Sequence, residues 1–293
     1  MPRPLHQVRQ RLTGRVRNGA THVITGLTDE RRTELARRAR SGRASRALLG
    51  RAAEWYGRAP VPISGGLAHL LVISTADLPL DHAHAGLIVR GTLEAPVQEA
   101  LRRLLAPGDV FYDVGANVGF FTLLGGRLVG PTGCVVAFEP VPWCARAVAH
   151  NIALNGFEHA QIRAEAVGGE DGRARLLVVG EASWSHLEST GRHPDVRDEI
   201  DVAMVTIDAL VAAGTIPPPD VLKIDTEGAE LQAIEGARET IARHRPAIVC
   251  ELHDTNAAFV ALMDELGYVT TNLEGPAAVA GAGPIHALAQ PRA

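Results

Sequence analysis

From residue 110 onward the chain alternates between short unbroken apolar runs and longer stretches with helical spacing. The apolar runs are Val110–Val114, Cys134–Phe138, Gln161–Val167, Val221–Ile224 and Ala247–Leu252. Between and after them Gly119–Leu128, Pro142–Asn155, Ala229–Ala242 and Phe259–Leu266 read as helices. A strand with no polar alternation is covered on both faces, and strands separated by helices of about 10–15 residues build parallel sheets. The pattern therefore predicts an α/β fold, a mostly parallel Rossmann-like sheet with helices on both faces. Arg173–Val179 and Val202–Ile207 alternate instead and predict an antiparallel insertion. Two short strands near 268–272 and 285–288 complete the set.

Upstream, Glu94–Leu105 reads as a short amphipathic helix leading into the main domain, and Leu67–Ser74 and Gly86–Arg90 as hairpin or edge strands. The segment 57–66, GRAPVPISGG, has the Pro and Gly content of a linker. Thr28, an N-cap followed by Asp29 and Glu30, opens a helical pattern that runs to Tyr56 with breaks at Gly42 and Gly50. Two parts follow: a basic, partly helical extension over 1–66 and an α/β domain over 67–293.

Composition sharpens this division. Residues 1–60 hold fourteen Arg against four acids, whereas the whole chain carries a net charge of −4 and a single lysine, Lys223. Without interleaved aromatics, the basic arm reads as a solvated extension rather than a nucleic-acid contact. No apolar run approaches the roughly 20 residues of a membrane span, and no secretory signal is visible. Three scattered cysteines form neither a disulfide framework nor a four-thiolate metal site. The expectation is a soluble protein of the reducing cytoplasm.

The chemistry concentrates at strand ends. The turn Asp113-Val114-Gly115-Ala116-Asn117-Val118-Gly119 follows a strand and opens a helix. Gly115 permits a tight turn and close approach to a ligand, and Gly119 close packing of the helix. The dinucleotide fingerprint is broken at Asn117, so a ligand without phosphates fits better. Twenty residues after Gly119, the next strand ends in Glu139, placed to accept two hydrogen bonds from ribose hydroxyls. Turn and acid together specify an adenosine-type ligand.

The runs FYDVGANVGFFTLLGGRLVGPTGCVVAFEPVP, NIALNG, VLKIDTEGAELQAIEGA and IVCELH, in this order over residues 108–253, resemble the FkbM-type family of S-adenosylmethionine-dependent O-methyltransferases. The resemblance does not reach residues 1–90. It implies a class I methyltransferase fold with S-adenosylmethionine at the carboxyl ends of the first three strands. Asp113, Gly115, Ala116, Asn117 and Gly119 would then face the methionine part, with Glu139 on the ribose. Pro140 would begin the wall beside the adenine, and Glu165, Ala166 and Val167 would lie near its edge.

Methyl transfer needs an aligned acceptor and a base for its proton. His253 is the candidate base, since an imidazole titrates in the right range. Glu251, two residues earlier on the same strand face, is placed to orient it. Lys223 and Asp225 share a strand face and read as an ion pair that positions acceptor or cofactor. Asp225, Glu227, Glu251 and His253 together can hold a divalent cation, although nothing in their spacing demands one. Trp184, Ser185 and His186, in the insertion, read as part of a lid, while His82, His84 and His193 read as loop residues.

The best reading is transfer of a methyl group to a hydroxyl of a small molecule, a sugar or secondary metabolite. The alternatives are a nucleic-acid methyltransferase, opposed by the lack of an Asn/Asp-Pro-Pro-aromatic motif; a nicotinamide dehydrogenase, opposed by the broken fingerprint; and a binding module without activity.

Overall fold

In the computed structural model, which describes residues 60–75, 82–179, 186–187 and 196–292, four of the five apolar runs and the first part of the run 161–167 lie side by side in one sheet. Two short strands, β1 (Val61–Pro62) and β2 (Val72–Ile73), pair antiparallel and precede the helices α1 (His82–Arg90) and α2 (Ala95–Leu104). Next come β3 (Val110–Val114), α3 (Phe120–Val129), β4 (Cys134–Phe138), α4 (Pro142–Leu154) and β5 (Ala160–Arg163). A small second sheet holds β6 (Ala166–Val167), β7 (Gly172–Val179), β8 (His186–Leu187) and β9 (Val196–Val205). The chain then continues through α5 (Ile207–Ala212), β10 (Val221–Ile224), α6 (Glu230–Glu235), α7 (Arg238–His244), β11 (Ala247–Leu252), α8 (Asn256–Glu265), β12 (Tyr268–Asn272) and β13 (Ile285–Pro291).

The main sheet runs in the order β12-β13-β11-β10-β3-β4-β5, parallel from β11 to β5 and antiparallel at β13 and β12. Strand parity sorts its buried residues. Phe111, Val135, Val221 and Val249 pack on one face with Ile88, Val97, Leu101 and Leu123 of α1, α2 and α3. Tyr112, Val136, Leu222 and Ile248 pack on the other with Ile234, Ile241 and Phe259 of α6, α7 and α8. Alternate side chains of a strand point to opposite faces, so covering both faces requires strands apolar throughout. The expected α/β class follows from that pattern. Strand order reverses between β3 and β10, and ligands of open α/β sheets bind at the carboxyl ends of strands beside such a switch.

Five elements differ from expectation. Gly86–Arg90, read as a strand, is the second half of α1, where Ile88 is buried; a short apolar run does not distinguish the two periods. Of the expected strand Leu67–Ser74, only Val72–Ile73 is extended. The run 161–167 divides: β5 stays in the main sheet, while β6 leaves it to pair with β9. Ile207, placed at the end of a strand, instead opens α5 behind the Thr206 cap, whose hydroxyl accepts from the Ala209 N–H. The expected helix 229–242 is two helices broken at Gly236 and Ala237. There the Asp208 carboxylate accepts from the N–H groups of Glu239 and Thr240 and so caps α7 from another part of the chain. The expected antiparallel insertion is the β7–β9 pair.

The asparagines of the NIALNG run fasten β2 to α4. Asn155 accepts from the Val72 N–H and donates to its carbonyl; Asn151 does the same at Ser74 and also donates to the Val118 carbonyl, steadying the Gly-rich turn. The helices expected between 28 and 56, Trp184 and Ser185 of the expected lid, and the expected loop residue His193 lie outside the described residues. Among the described residues no helix is long and apolar enough to cross a membrane.

Candidate active site

The carboxyl ends of β11, β10, β3 and β4 open on one cavity. It is bordered by Glu251, Asp225, Thr226 and Glu227, by Val114, Gly115 and Asn117, and by Phe138, Glu139, Pro140 and Val141. Glu165, Ala166, Val167 and Leu176 continue the wall beyond β4, and His84, Leu93 and Glu94 join it from the α1–α2 segment. Of the residues singled out for a cofactor, Gly115, Asn117, Glu139, Pro140, Glu165, Ala166 and Val167 meet here. Asp113, Ala116 and Gly119 are not among the lining residues.

Gly115 and Asn117 both adopt positive φ, +80° and +52°. A Cβ on Gly115 would fall 1.7 Å from the Asp225 carbonyl oxygen, so its required close approach is to β10's end rather than only to a ligand. At Gly119, φ is +86°, the left-handed region that favours glycine, while a Cβ would make only ordinary contact with Val148 of α4, 3.4 Å away. The turn aims the Asn117 N–H at Glu139 Oε2, 2.7 Å away, while Oε1 accepts from the Val141 N–H at 2.8 Å. Glu139 is 5% exposed, and burial pushes its carboxyl up to about 7, against the pull of the Val141 and Asn117 N–H groups. Its remaining lone pairs border the cavity. The Asn117 Oδ1 and Thr226 Oγ1 atoms are buried without hydrogen-bond partners among the described residues.

Beneath the turn lies a buried ion cluster. Lys223 Nζ is 3.1 Å from Asp225 Oδ2, 3.9 Å from Asp113 Oδ1 and 4.8 Å from the Phe121 ring centroid. Burial disfavours the ammonium, but Asp225 and Asp113 outweigh it and hold Lys223 charged. Asp113 is wholly buried; its Oδ2 accepts from the Thr122 hydroxyl at 2.6 Å. Lys223 and Asp113 are thus beneath the cavity wall, and Asp225 is the member of the cluster that reaches the cavity.

His253 sits among carboxylates. Its Nδ1 is 2.8 Å from Glu230 Oε1, and its Nε2 is 3.3 Å from Glu227 Oε2 and 3.6 Å from Glu251 Oε1. Burial alone would lower its pKa; Glu230, Glu227 and Asp225 outweigh burial and raise it to about 9, well above the neutral range expected of an ordinary imidazole. His253 itself does not line the cavity; Glu227 and Glu251, which it touches, do. Burial, with Asp225 close by, pushes Glu227 up to about 8. Glu230, fully buried, lies closer to Nδ1 than Glu251, the expected orienting residue, lies to Nε2, and it also accepts from the Gly228 N–H and the Thr255 hydroxyl. Its position three residues after Glu227, in the first turn of a helix, was the available signal.

Of the expected cation set, Asp225, Glu251 and His253 bring ligand atoms within 4.8 Å of one another, and Glu227 stands outside that group. A second group of the same kind, Glu94, Glu251 and His286, shares Glu251. Neither Glu94 nor His286 carried a signal in the sequence.

Residues 113–270 match the family described as the methyltransferase FkbM domain. The chain is 29% identical over 207 residues to the 31-O-demethyl-FK506 methyltransferase FkbM of Streptomyces tacrolimicus, covering 59% of this chain and 77% of that one. It is 26% identical over 165 residues to the hexuronic acid methyltransferase AglP of Haloferax volcanii, covering 53% and 62%. A solved structure of methyltransferase FkbM from Methylobacillus flagellatus aligns with a TM-score of 0.43 at 15% identity, over 71% of this chain and 55% of that chain. The chain spans just over half the length of that solved relative.

Proposed function

Because this chain belongs to the FkbM methyltransferase family, we propose that it transfers a methyl group from S-adenosylmethionine to a hydroxyl of a small molecule, a sugar or secondary metabolite. The observation that carries this reading is a single cavity bordered by Glu139 after β4 and by Glu227 and Glu251, beside His253, around β10 and β11.

The residues suit such a cofactor. Glu139, fixed by two backbone N–H groups, keeps lone pairs for both ribose hydroxyls. Phe138, Val141, Val167 and Leu176 offer apolar walls for a purine, with Pro140, Glu165 and Ala166 beside them. The unpartnered Asn117 Oδ1 accepts from an amino group on the methionine side. Asp113, Ala116 and Gly119 shape the turn from beneath. S-adenosylmethionine bound there supplies a methyl group carried on a sulfonium.

Transfer is an in-line displacement, so the chain's work is alignment and removal of one proton. With the methyl donor bound, the Glu227–His253 pair would take the proton that the acceptor hydroxyl gives up. Glu230 holds the imidazole in place through Nδ1, leaving Nε2 toward Glu227. Two groups this close titrate as a unit. Lys223 holds Asp225 in place at the cavity edge. We assign this activity to residues 67–293 and treat residues 1–66 as an extension that cofactor binding does not need.

Incubation with methyl-labelled S-adenosylmethionine and a metabolite extract tests the reading. Label recovered in an alkali-stable methyl ether supports it. Label in nucleic acid, or none transferred by a protein that binds S-adenosylhomocysteine, overturns it in favour of a nucleic-acid enzyme or an inactive binding module.

A further inference from the structure

Two side chains outside the family-matched stretch complete the acidic wall of the cavity. Glu94 stands at the N-terminus of α2 with φ 41° and ψ 59°, a left-handed conformation that costs a non-glycine residue about 1 kcal/mol or more. It does not cap its own helix; its side chain lines the cavity instead. His286 of β13 faces Glu251 of β11 directly across the sheet. Its Nε2 lies 3.2 Å from Glu94 Oε2 and 3.4 Å from Glu251 Oε2, and its Nδ1 2.6 Å from Glu274 Oε1. His286 is 8% exposed, and its Nε2 makes no hydrogen bond of proper angle with either cavity carboxylate. One buried imidazole thus stands within ion-pair distance of one oxygen of each of two cavity carboxylates. Glu251 Oε1 remains toward His253.

Among the described residues, the acceptor side of the cavity is lined by four acidic side chains, Glu94, Asp225, Glu227 and Glu251. The cations that answer them, Lys223, His253 and His286, are not lining residues; His84, which does line the cavity, stands on the α1 side. The oxygens of Glu94, Asp225 and Glu251 satisfy groups that donate hydrogen bonds and oppose anions, because like charges brought together cost several kcal/mol; Glu227, pushed up to about 8, adds its charge only above that range.

We propose that Glu94, held by His286, reads the acceptor: it binds a second hydroxyl of a polyhydroxyl acceptor and makes the protein reject acceptors that carry a carboxylate. This rests on the methyltransferase reading and adds the charge class of the substrate. It also sets this chain apart from its relative named for hexuronic acid.

The test compares methyl hexosides, their monodeoxy analogues and the matching methyl hexuronides as acceptors, with labelled S-adenosylmethionine and EDTA present throughout. The wild type is expected to use neutral hexosides with kcat/KM about 100-fold above the hexuronides. In Glu94→Gln that gap narrows about tenfold or more, KM for the neutral hexoside rises with kcat little changed, and S-adenosylhomocysteine affinity stays the same. One monodeoxy analogue loses activity in the wild type and loses no more in Glu94→Gln, because the same contact has been removed twice. His286→Gln loosens both carboxylates and lowers the same discrimination. Equal or preferred use of hexuronides by the wild type overturns the proposal, and needs no variant to fold. So does unaltered discrimination in a folded Glu94→Gln, and so does refusal of every hexoside by a protein that binds S-adenosylhomocysteine. Failure to bind S-adenosylhomocysteine at all strikes the methyltransferase reading itself.

Discussion

The two sides of the cavity are built in different ways. On the side of β4, Glu139 is held by backbone N–H groups of its own turn and of the adjacent Gly-rich turn, and its neighbours are apolar. On the side of β10 and β11, carboxylates and imidazoles hold one another, and they come from positions as distant as Glu94 and His286. A backbone-fixed site survives changes of its neighbours' side chains. A site made of mutually charged side chains changes whenever one member does. The first suits a constant ligand, and the second suits a partner and a proton that differ from protein to protein.

The difference predicts that substitutions on the two sides separate turnover from cofactor affinity. His253→Ala is expected to lower turnover by about 10²–10⁴-fold, the usual share of a general base, with S-adenosylhomocysteine affinity near wild type. A loss of affinity with turnover preserved breaks the comparison. Glu139→Ala is expected to weaken S-adenosylhomocysteine binding by about 1–3 kcal/mol, the range for polar groups left unpaired, in a protein that still folds. Equal affinity by calorimetry removes Glu139 from the ribose.

Acidity sharpens the contrast. The Glu139 carboxyl, raised to about 7 by burial, must ionise to hold two ribose hydroxyls. Cofactor affinity is therefore expected to fall by up to about tenfold per pH unit below 7, and to lose that dependence in Glu139→Gln. His253 shifts the other side upward. Its pKa is raised to about 9 although burial opposes this, so its imidazolium stabilises the fold fully below its ordinary value of 6.5 and ceases to as pH rises through 9. Over the same window the base form accumulates, so kcat/KM is expected to rise while the thermal midpoint falls. A rate profile that levels off near 6.5 contradicts the arrangement. The smallest effect is expected from deleting residues 1–27, which should leave S-adenosylhomocysteine affinity within about twofold, below the roughly tenfold change that 1.4 kcal/mol produces.

How far each side could be read in the sequence follows from the same contrast. The Gly-rich turn and Glu139 are close in sequence, and continuous apolar strands announce a sheet buried on both faces, so fold and turn were legible together. The role of Gly115 was legible only in part: a tight turn was foreseeable, but contact with the Asp225 carbonyl depends on which strand lies beside β3. The position of Glu230 is only a weak signal, because a first-turn acid usually serves only its own helix. His286 meets Glu251 through the antiparallel return of β13 against β11, and Glu94 through the placement of α2's start, long-range arrangements no local pattern encodes. Gly86–Arg90 was misread because five residues cannot separate a period of 2 from one of about 3.6.

The central claim is that this cavity holds an adenosine with a free ribose and no phosphates. Its most direct test is a calorimetric titration of the full chain, in parallel, with S-adenosylhomocysteine and with NAD. The account predicts saturable one-to-one binding of S-adenosylhomocysteine and no heat of binding for NAD. Saturable binding of NAD with none of S-adenosylhomocysteine would contradict it.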